Sequence, residues 1–310
     1  MRNKVTVVGG AGNVGATVGQ LVAQADVADV VLLDVAGELA TGKALDMMEA
    51  APVLGFNARI TGGSDYALSA GSDICVITAG LARKPGMSRD DLQAKNTDIV
   101  KDVVQNLVKH SPDTLLIVVT NPLDIMCEVA RRVSGFPRER ILGMAGVLDA
   151  ARMRYFIAAE LNVSVEDVDA FVLGGHGDTM VPLPRYATVN GIPLPELLAE
   201  DRIAAINDRT KNGGIEIVNY YKTGSAYYAP GASAYEMVAA ILGDKQKILP
   251  CAVYLQGEYG LEGLFVGVPC LLGRKGMERV IELELSADET AALEKSAGAV
   301  RDQVDKLPAM

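Results

Sequence analysis

Short apolar runs, most of them β-branched, recur through the first half of the chain. They are Val5-Thr6-Val7-Val8, Asp29 to Asp34, Ala58 to Gly62, Ile74-Cys75-Val76-Ile77-Thr78-Ala79 and Leu115 to Thr120. Runs this short, with little polar alternation, suit strands buried on both faces of a parallel sheet. Between them lie stretches of helical period. Ala16 to Ala25 gathers small and apolar residues on one face, and the segment from Asp90 to Lys109 spaces Leu92, Ile99, Val103, Val104 and Leu107 as a helix would. Strand and helix in alternation predict a doubly wound Rossmann-type α/β unit whose ligands sit at the carboxyl ends of the strands.

The second half has a different pattern. A helix is expected from about Leu148 to Leu161, then an apolar run from Ala170 that ends in Val172-Leu173-Gly174-Gly175-His176-Gly177-Asp178. Asn190-Gly191 signals a hairpin, a helical region runs through Tyr221, and Gly224-Ser225-Ala226-Tyr227-Tyr228 is a candidate pocket wall. Lys247 to Leu255 and Gly263 to Leu272 read as antiparallel strands, and Ser286-Ala287-Asp288-Glu289 is a capping box opening the last helix. At 310 residues the chain exceeds one small core. Two closely joined units are expected: a Rossmann domain over 1–144 and a mixed α+β substrate/catalytic domain over 145–310.

Composition narrows the partners. The 39 acidic and 29 basic side chains leave a net charge of −10, which disfavours nucleic acid or an anionic membrane as partner. No stretch approaches the ~18–20 apolar residues that span a bilayer, and the N-terminus runs into a strand without signal-peptide architecture. The four cysteines are scattered without a C-x-x-C pair, and the two histidines lie far apart, so neither a disulfide framework nor a metal site is expected. The expectation is a reduced, cytoplasmic protein.

The chemistry is carried by particular strand ends. After Val8 comes Gly9-Gly10-Ala11-Gly12-Asn13-Val14-Gly15, which contains G-x-G-x-x-G between a strand and a helix. Such glycines permit the tight turn, backbone approach to a pyrophosphate and close helix packing, while the helix N-terminus supplies unpaired N–H groups. Asp34 lies 19 residues beyond Gly15, where a carboxylate can bond both ribose hydroxyls and repel a 2′-phosphate, favouring NAD over NADP. The loop from Gly80 to Arg89 holds Arg83, Lys84 and Arg89. In an acidic protein, beside a cofactor site, it suits an arginine-bearing lid over an anionic substrate; the plainer alternative is a solvated basic loop. Asn121-Pro122 can present an amide to a substrate oxygen. Asp149 and Arg152 share a helix face at i and i+3, either as a simple ion pair or aimed at a common pocket. Glycines flank His176, the side chain best suited to pass a proton near neutrality. His110, at a helix end, reads as structural or solvent-exposed.

Taken together, these motifs resemble the malate/lactate dehydrogenase family, in its lactate dehydrogenase-like bacterial branch. The resemblance runs nearly end to end through Gly10 to Gly15, Arg83 to Arg89, Thr120 to Asp124, Leu148 to Arg152 and Gly174 to Asp178. The extra Gly9 before the fingerprint departs from the family pattern. The resemblance implies hydride transfer between NAD and a 2-hydroxy acid. His176 would be the proton donor and acceptor, oriented by Asp149. Arg152 would grip the substrate carboxylate, Arg89 would polarise the carbonyl, and Asn121, with a cis bond to Pro122, would bind the substrate oxygen. Gly10, Ala11, Gly12, Asn13, Val14, Gly15, Asp34, Asn96, Val119, Thr120 and Asn121 would contact the cofactor. Lactate dehydrogenases carry Gln where this chain has Arg83, a counter-ion for the second carboxylate of malate or oxaloacetate. Malate is thus the expected substrate, another 2-hydroxy acid or a non-catalytic NAD-binding role being the alternatives. The family assembles as dimers or tetramers; a homotetramer is expected here.

Overall fold

The computed structural model describes residues 2–81 and 88–310, without the side chain of Arg89. Six strands, β1 (Lys4–Val8), β2 (Asp29–Leu33), β3 (Ile60–Gly63), β4 (Ile74–Ile77), β5 (Leu115–Val118) and β6 (Ile141–Gly143), form a parallel sheet in the order β3-β2-β1-β4-β5-β6. Their burial explains the runs: Val5, Val7, Ile74, Val76, Leu116 and Ile117 are all inaccessible to solvent. Helices α1 (Asn13–Gln24), α2 (Gly37–Leu54), α3 (Arg89–His110) and α4 (Leu123–Ser134) alternate with the strands. Strand order reverses between β1 and β4, which opens a crevice at their carboxyl ends.

Helix starts are set by local chemistry. Gly12 is the N-cap of α1, so the helix begins three residues before the expected Ala16. Ser88 and Asp91 form a capping box that fixes the start of α3, and His110, half-buried, is that helix's last residue. The extra glycine does not disturb the sheet. Val8 still pairs with both Leu33 and Ile77, and Gly9 turns the chain with φ +87°. A Cβ there would lie 2.6 Å from Thr78 Oγ1.

The second half supplies α5 (Gly146–Leu161), β7 (Val168–Asp169), β8 (Val172–Leu173), β9 (Val181–Pro182), β10 (Thr188–Val189), β11 (Ile192–Pro193), α6 (Leu194–Leu197), α7 (Glu200–Tyr221) and α8 (Tyr228–Leu242). After these come β12 (Lys247–Gln256), β13 (Glu262–Gly273), β14 (Gly276–Val280) and α9 (Ala287–Val304). Asn190 and Gly191 join β10 to β11 with φ of 48° and 84°, the double positive φ of a type I′ turn. β12 runs antiparallel to β6 through Ala252 and Gly143, so β12, β13 and β14 extend the parallel sheet to nine strands. The boundary expected near Met144 falls between β6 and α5, yet the main core continues across it from Val5 to Val304. A smaller second core gathers Met153, Ile157, Val168, Val189, Ile203 and Ile206.

Candidate active site

The crevice above β1, β2 and β4 is bounded by the glycine turn. The N–H groups of Gly9 and Gly10 both bond Leu33 O, at 2.9 and 3.1 Å, which folds the turn over the end of β2. Ala16 makes the first bond within α1, to Gly12 O at 2.9 Å, and no side chain caps the helix. The amides of Asn13, Val14 and Gly15 therefore precede the hydrogen-bonded ladder, as an anion site requires. The glycines are not equivalent. A Cβ on Gly15 would sit 2.3 Å from Gly9 O and one on Gly10 2.7 Å from Leu32 Cα, whereas one on Gly12 would meet only Gly9 O, at 3.2 Å. Gly10 and Gly15 are needed for packing, and Gly12 keeps the outer face of the turn low. Asp34 follows β2 and accepts the Ala11 N–H on Oδ2 and the Ala36 N–H on Oδ1, both at 3.0 Å.

Next to this turn, the loop after β4 and the loop after β5 are tied together by Asn96. Its buried Oδ1 accepts the Leu81 N–H at 2.8 Å, and its Nδ2 donates to Leu81 O at 3.2 Å and to Asn121 O at 2.6 Å. In this structure Asn96 spends its amide on the two loops. Thr120 is buried, with Oγ1 donating to Ala79 O at 2.7 Å, and Val119 N–H bonds Ile77 O at 2.9 Å. The Asn121–Pro122 bond is cis and Asn121 is exposed. Arg83 lies outside the described residues. Arg89 is placed as the first residue of α3, while its side chain lies outside them too.

On the far side of the crevice, α5 carries Asp149 and Arg152, and the turn between β8 and β9 carries His176. Glycine shapes that turn: Gly174 has φ +88° and exchanges two backbone hydrogen bonds with Gly267 of β13, at 2.9 and 3.1 Å. Asp149, 2% exposed, joins the other two side chains. Its Oδ2 lies 2.8 Å from His176 Nδ1, and its Oδ1 accepts from Arg152 Nη1 at 3.0 Å. The ion pair, one of the two alternatives in the sequence, is present, and the same carboxylate also reaches His176. Because an ionised carboxylate only accepts, Nδ1 carries the proton and Nε2 is the nitrogen left to exchange one. Arg152 has donors to spare, and its Nε is buried without a partner among the described residues.

The electrostatics favour a protonated ring. Burial by itself pushes the His176 pKa down; the charge and hydrogen bond of Asp149, with Asp124 adding, outweigh it against opposition from Arg152, and the net displacement is upward. Asp124 is held up to about 6, by burial first, against the His176 N–H and ring, which lower it.

Sequence models of two domains match the chain: lactate/malate dehydrogenase, NAD binding domain, over residues 3–143, and lactate/malate dehydrogenase, alpha/beta C-terminal domain, over 146–310. This chain belongs to the lactate/malate dehydrogenase family. A malate dehydrogenase of Chloroherpeton thalassium is 58% identical over 308 residues, covering 99% of each chain. The solved malate dehydrogenase of Salinibacter ruber superposes with a TM-score of 0.94 at 57% identity, covering 97% of this chain and 96% of that one. The fold is shared with a lactate dehydrogenase from Cryptosporidium parvum, solved with lactic acid and β-nicotinamide adenine dinucleotide, at TM-score 0.95 and 37% identity over 99% of both chains. The N-terminal half of this lactate/malate dehydrogenase is an NAD-binding domain. Its residues fit the cofactor: an uncapped α1 for the pyrophosphate, the low face at Gly12, and the Asp34 carboxylate beside the turn.

Sequence reasoning passed over two residues of the site in this family member. Asp124, quoted only as part of a motif, bonds the His176 backbone, and Ser296, in the last helix, bonds that of Gly175. The Thr120 to Asp124 motif was the available signal for the first. Ser296 had none.

Proposed function

We propose that this chain catalyses the reversible oxidation of malate to oxaloacetate with NAD. The observation that carries the reading is the hydrogen-bonded chain from Arg152 through the buried Asp149 to His176, in a protein with an NAD-binding domain whose full-length relatives are malate dehydrogenases. NAD, when bound, supplies the hydride acceptor or donor. Gly10, Ala11, Gly12, Asn13, Val14 and Gly15 would hold it by backbone amides and Asp34 by its ribose hydroxyls, and Val119, Thr120, Asn121 and Asn96 would contact or support it. Arg152 binds the substrate's C1 carboxylate, for which a planar guanidinium is shaped. His176 donates its Nε2 proton to the carbonyl oxygen of oxaloacetate, or takes it from malate, while Asp149 holds the ring and stabilises its charged form. Arg89 polarises the carbonyl and Asn121 holds the substrate oxygen.

Arg83 selects the substrate. Its charge meets the second carboxylate of oxaloacetate, a contact of about 1.5–3 kcal/mol that pyruvate cannot make. Arg83→Gln is expected to lower kcat/KM for oxaloacetate about 10- to 150-fold with NADH affinity unchanged. Equal losses in both would remove Arg83 from the substrate site. We further infer two structural units meeting near Met144, a cytoplasmic location, for which the four buried free cysteines speak, and a homotetramer. A sedimenting mass of two chains would replace the tetramer with a dimer. Among the described residues no helix is long and apolar enough to cross a membrane.

A further inference from the structure

The proton-transfer turn is gripped by two buried acceptors from different helices. Asp124, in the first turn of α4 and 3% exposed, accepts the His176 backbone N–H on Oδ2 at 2.9 Å. Ser296 of α9, 0% exposed, accepts the Gly175 N–H at 2.9 Å and donates to Thr179 Oγ1 at 3.1 Å. The fit is close: a Cβ on Gly174 would lie 2.7 Å from Ser296 Oγ, and one on Gly175 would lie 3.3 Å from Asp124 Oδ2. The other oxygen of Asp124, Oδ1, is buried with no hydrogen-bond partner among the described residues. A half-satisfied buried carboxylate is a poor packing element, since an aliphatic side chain would fill the space with no polar group to desolvate and an amide at a smaller desolvation cost. Its location accounts for it. Asp124 stands three residues after Asn121, so one helix start carries both the turn assigned to the substrate oxygen and the anchor of the proton donor.

We propose, resting on the malate dehydrogenase reading, that Asp124 is a positioning residue for proton transfer, fixing the His176 backbone by its hydrogen bond and favouring the imidazolium by its charge. Asp124 interacts electrostatically with His176 and Asp149; Arg152 of α5 acts on the same imidazole, Cys127 of α4 feels both Asp124 and Glu128, and α9 brings the neutral Ser296 hydroxyl to the Gly175 N–H. Burial holds the Asp124 pKa up at about 6, and the His176 N–H and ring pull it back towards the ionised state.

The test compares Asp124→Ala, Asp124→Asn and the wild type as full chains, reading kcat and KM in both directions across pH, NADH affinity by fluorescence, and Tm. Asp124→Ala is expected to lower kcat about 10- to 100-fold, the scale of a misplaced reacting group, with NADH affinity retained. Asp124→Asn keeps an acceptor oxygen and should recover most of that kcat. Its lost charge should move the limb set by His176 to lower pH. A folded Asp124→Ala enzyme with wild-type kcat, a loss that Asn fails to rescue, or an unmoved limb in Asp124→Asn would each overturn the proposal. Should the wild type turn over no 2-oxoacid, the malate reading fails separately, and NMR titration of the imidazoles decides this one. With two histidines, His110→Gln assigns the signals; a lower His176 titration in Asp124→Asn sustains the proposal and an identical one overturns it.

Discussion

Replacing Asp149 by Asn removes one charge from the centre of the site while nearly conserving its volume. The carboxylate holds His176 Nδ1 at 2.8 Å and Arg152 Nη1 at 3.0 Å, at 2% exposure, so solvent screens neither contact. A hydrogen bond to a charged group contributes about 1.5–3 kcal/mol, and at about 1.4 kcal/mol per decade its loss slows the proton-transfer step about 10- to 150-fold. The direction with pH follows from the sign of the interaction. Against burial, which lowers the His176 pKa, Asp149 raises it, so the variant's imidazole must titrate lower. Malate oxidation needs the neutral ring and is lost as pH falls through the His176 pKa; its acid limb should move to lower pH. Oxaloacetate reduction needs the protonated ring and is lost as pH rises through the same pKa; its alkaline limb should move the same way. Initial rates followed by NADH absorbance in both directions measure both limbs. Limbs that stay in place, or that move in opposite senses, would refute the assignment of His176 as the proton-transfer group paired to Asp149.

Other substitutions separate the remaining parts of the site. Arg152→Lys keeps the charge and loses the fork, so KM for oxaloacetate should rise by about 10-fold or more while NADH affinity holds; an unchanged KM would place the substrate carboxylate elsewhere. Asp34→Ser should raise the ratio of NADP to NAD use, with a stability loss of about 1 kcal/mol from the weakened Ala11 and Ala36 contacts; a wild-type cofactor ratio would contradict the ribose role. Asp124 titrates near 6 in the folded protein, against an ordinary 3.8, so the folded state binds the proton more tightly and stability falls as pH rises across that window. The gap corresponds to about 3 kcal/mol. Denaturation of Asp124→Asn should therefore show extra stability over wild type near neutrality, on the order of 1–3 kcal/mol, that fades towards the unfolded pKa; a difference independent of pH would show that the carboxyl is not held high.

What could be read from the sequence was what local chemistry determines. The glycine fingerprint, Asp34, the His176 turn and the Asn190-Gly191 hairpin each reside in a few consecutive residues whose backbone demands are visible in their types. Of the helices that were not read, α8 and α2 lack such marks. In α8, Ser233, Ala234, Met237, Val238, Ala239, Ala240 and Ile241 are all buried, and a helix apolar all round has no stripe to detect. In α2 the three buried residues are alanines, Ala40, Ala44 and Ala51, while Leu39, Leu45 and Val53 face outward and Pro52 interrupts the composition. The extension of the sheet was also hidden, because β12 meets β6 across more than a hundred residues through one residue pair, Ala252 with Gly143. Long-range hydrogen bonding likewise concealed Asp124 and Ser296, whose partners lie 52 and 121 residues away.

The most direct test of the account is the ratio of kcat/KM for oxaloacetate to that for pyruvate, measured with NADH on the purified wild-type chain at matched concentrations. A ratio on the order of 10³ or more is predicted, combining the carboxylate contact with the cost of leaving Arg83 unpaired against a methyl group. A ratio near or below one would contradict it.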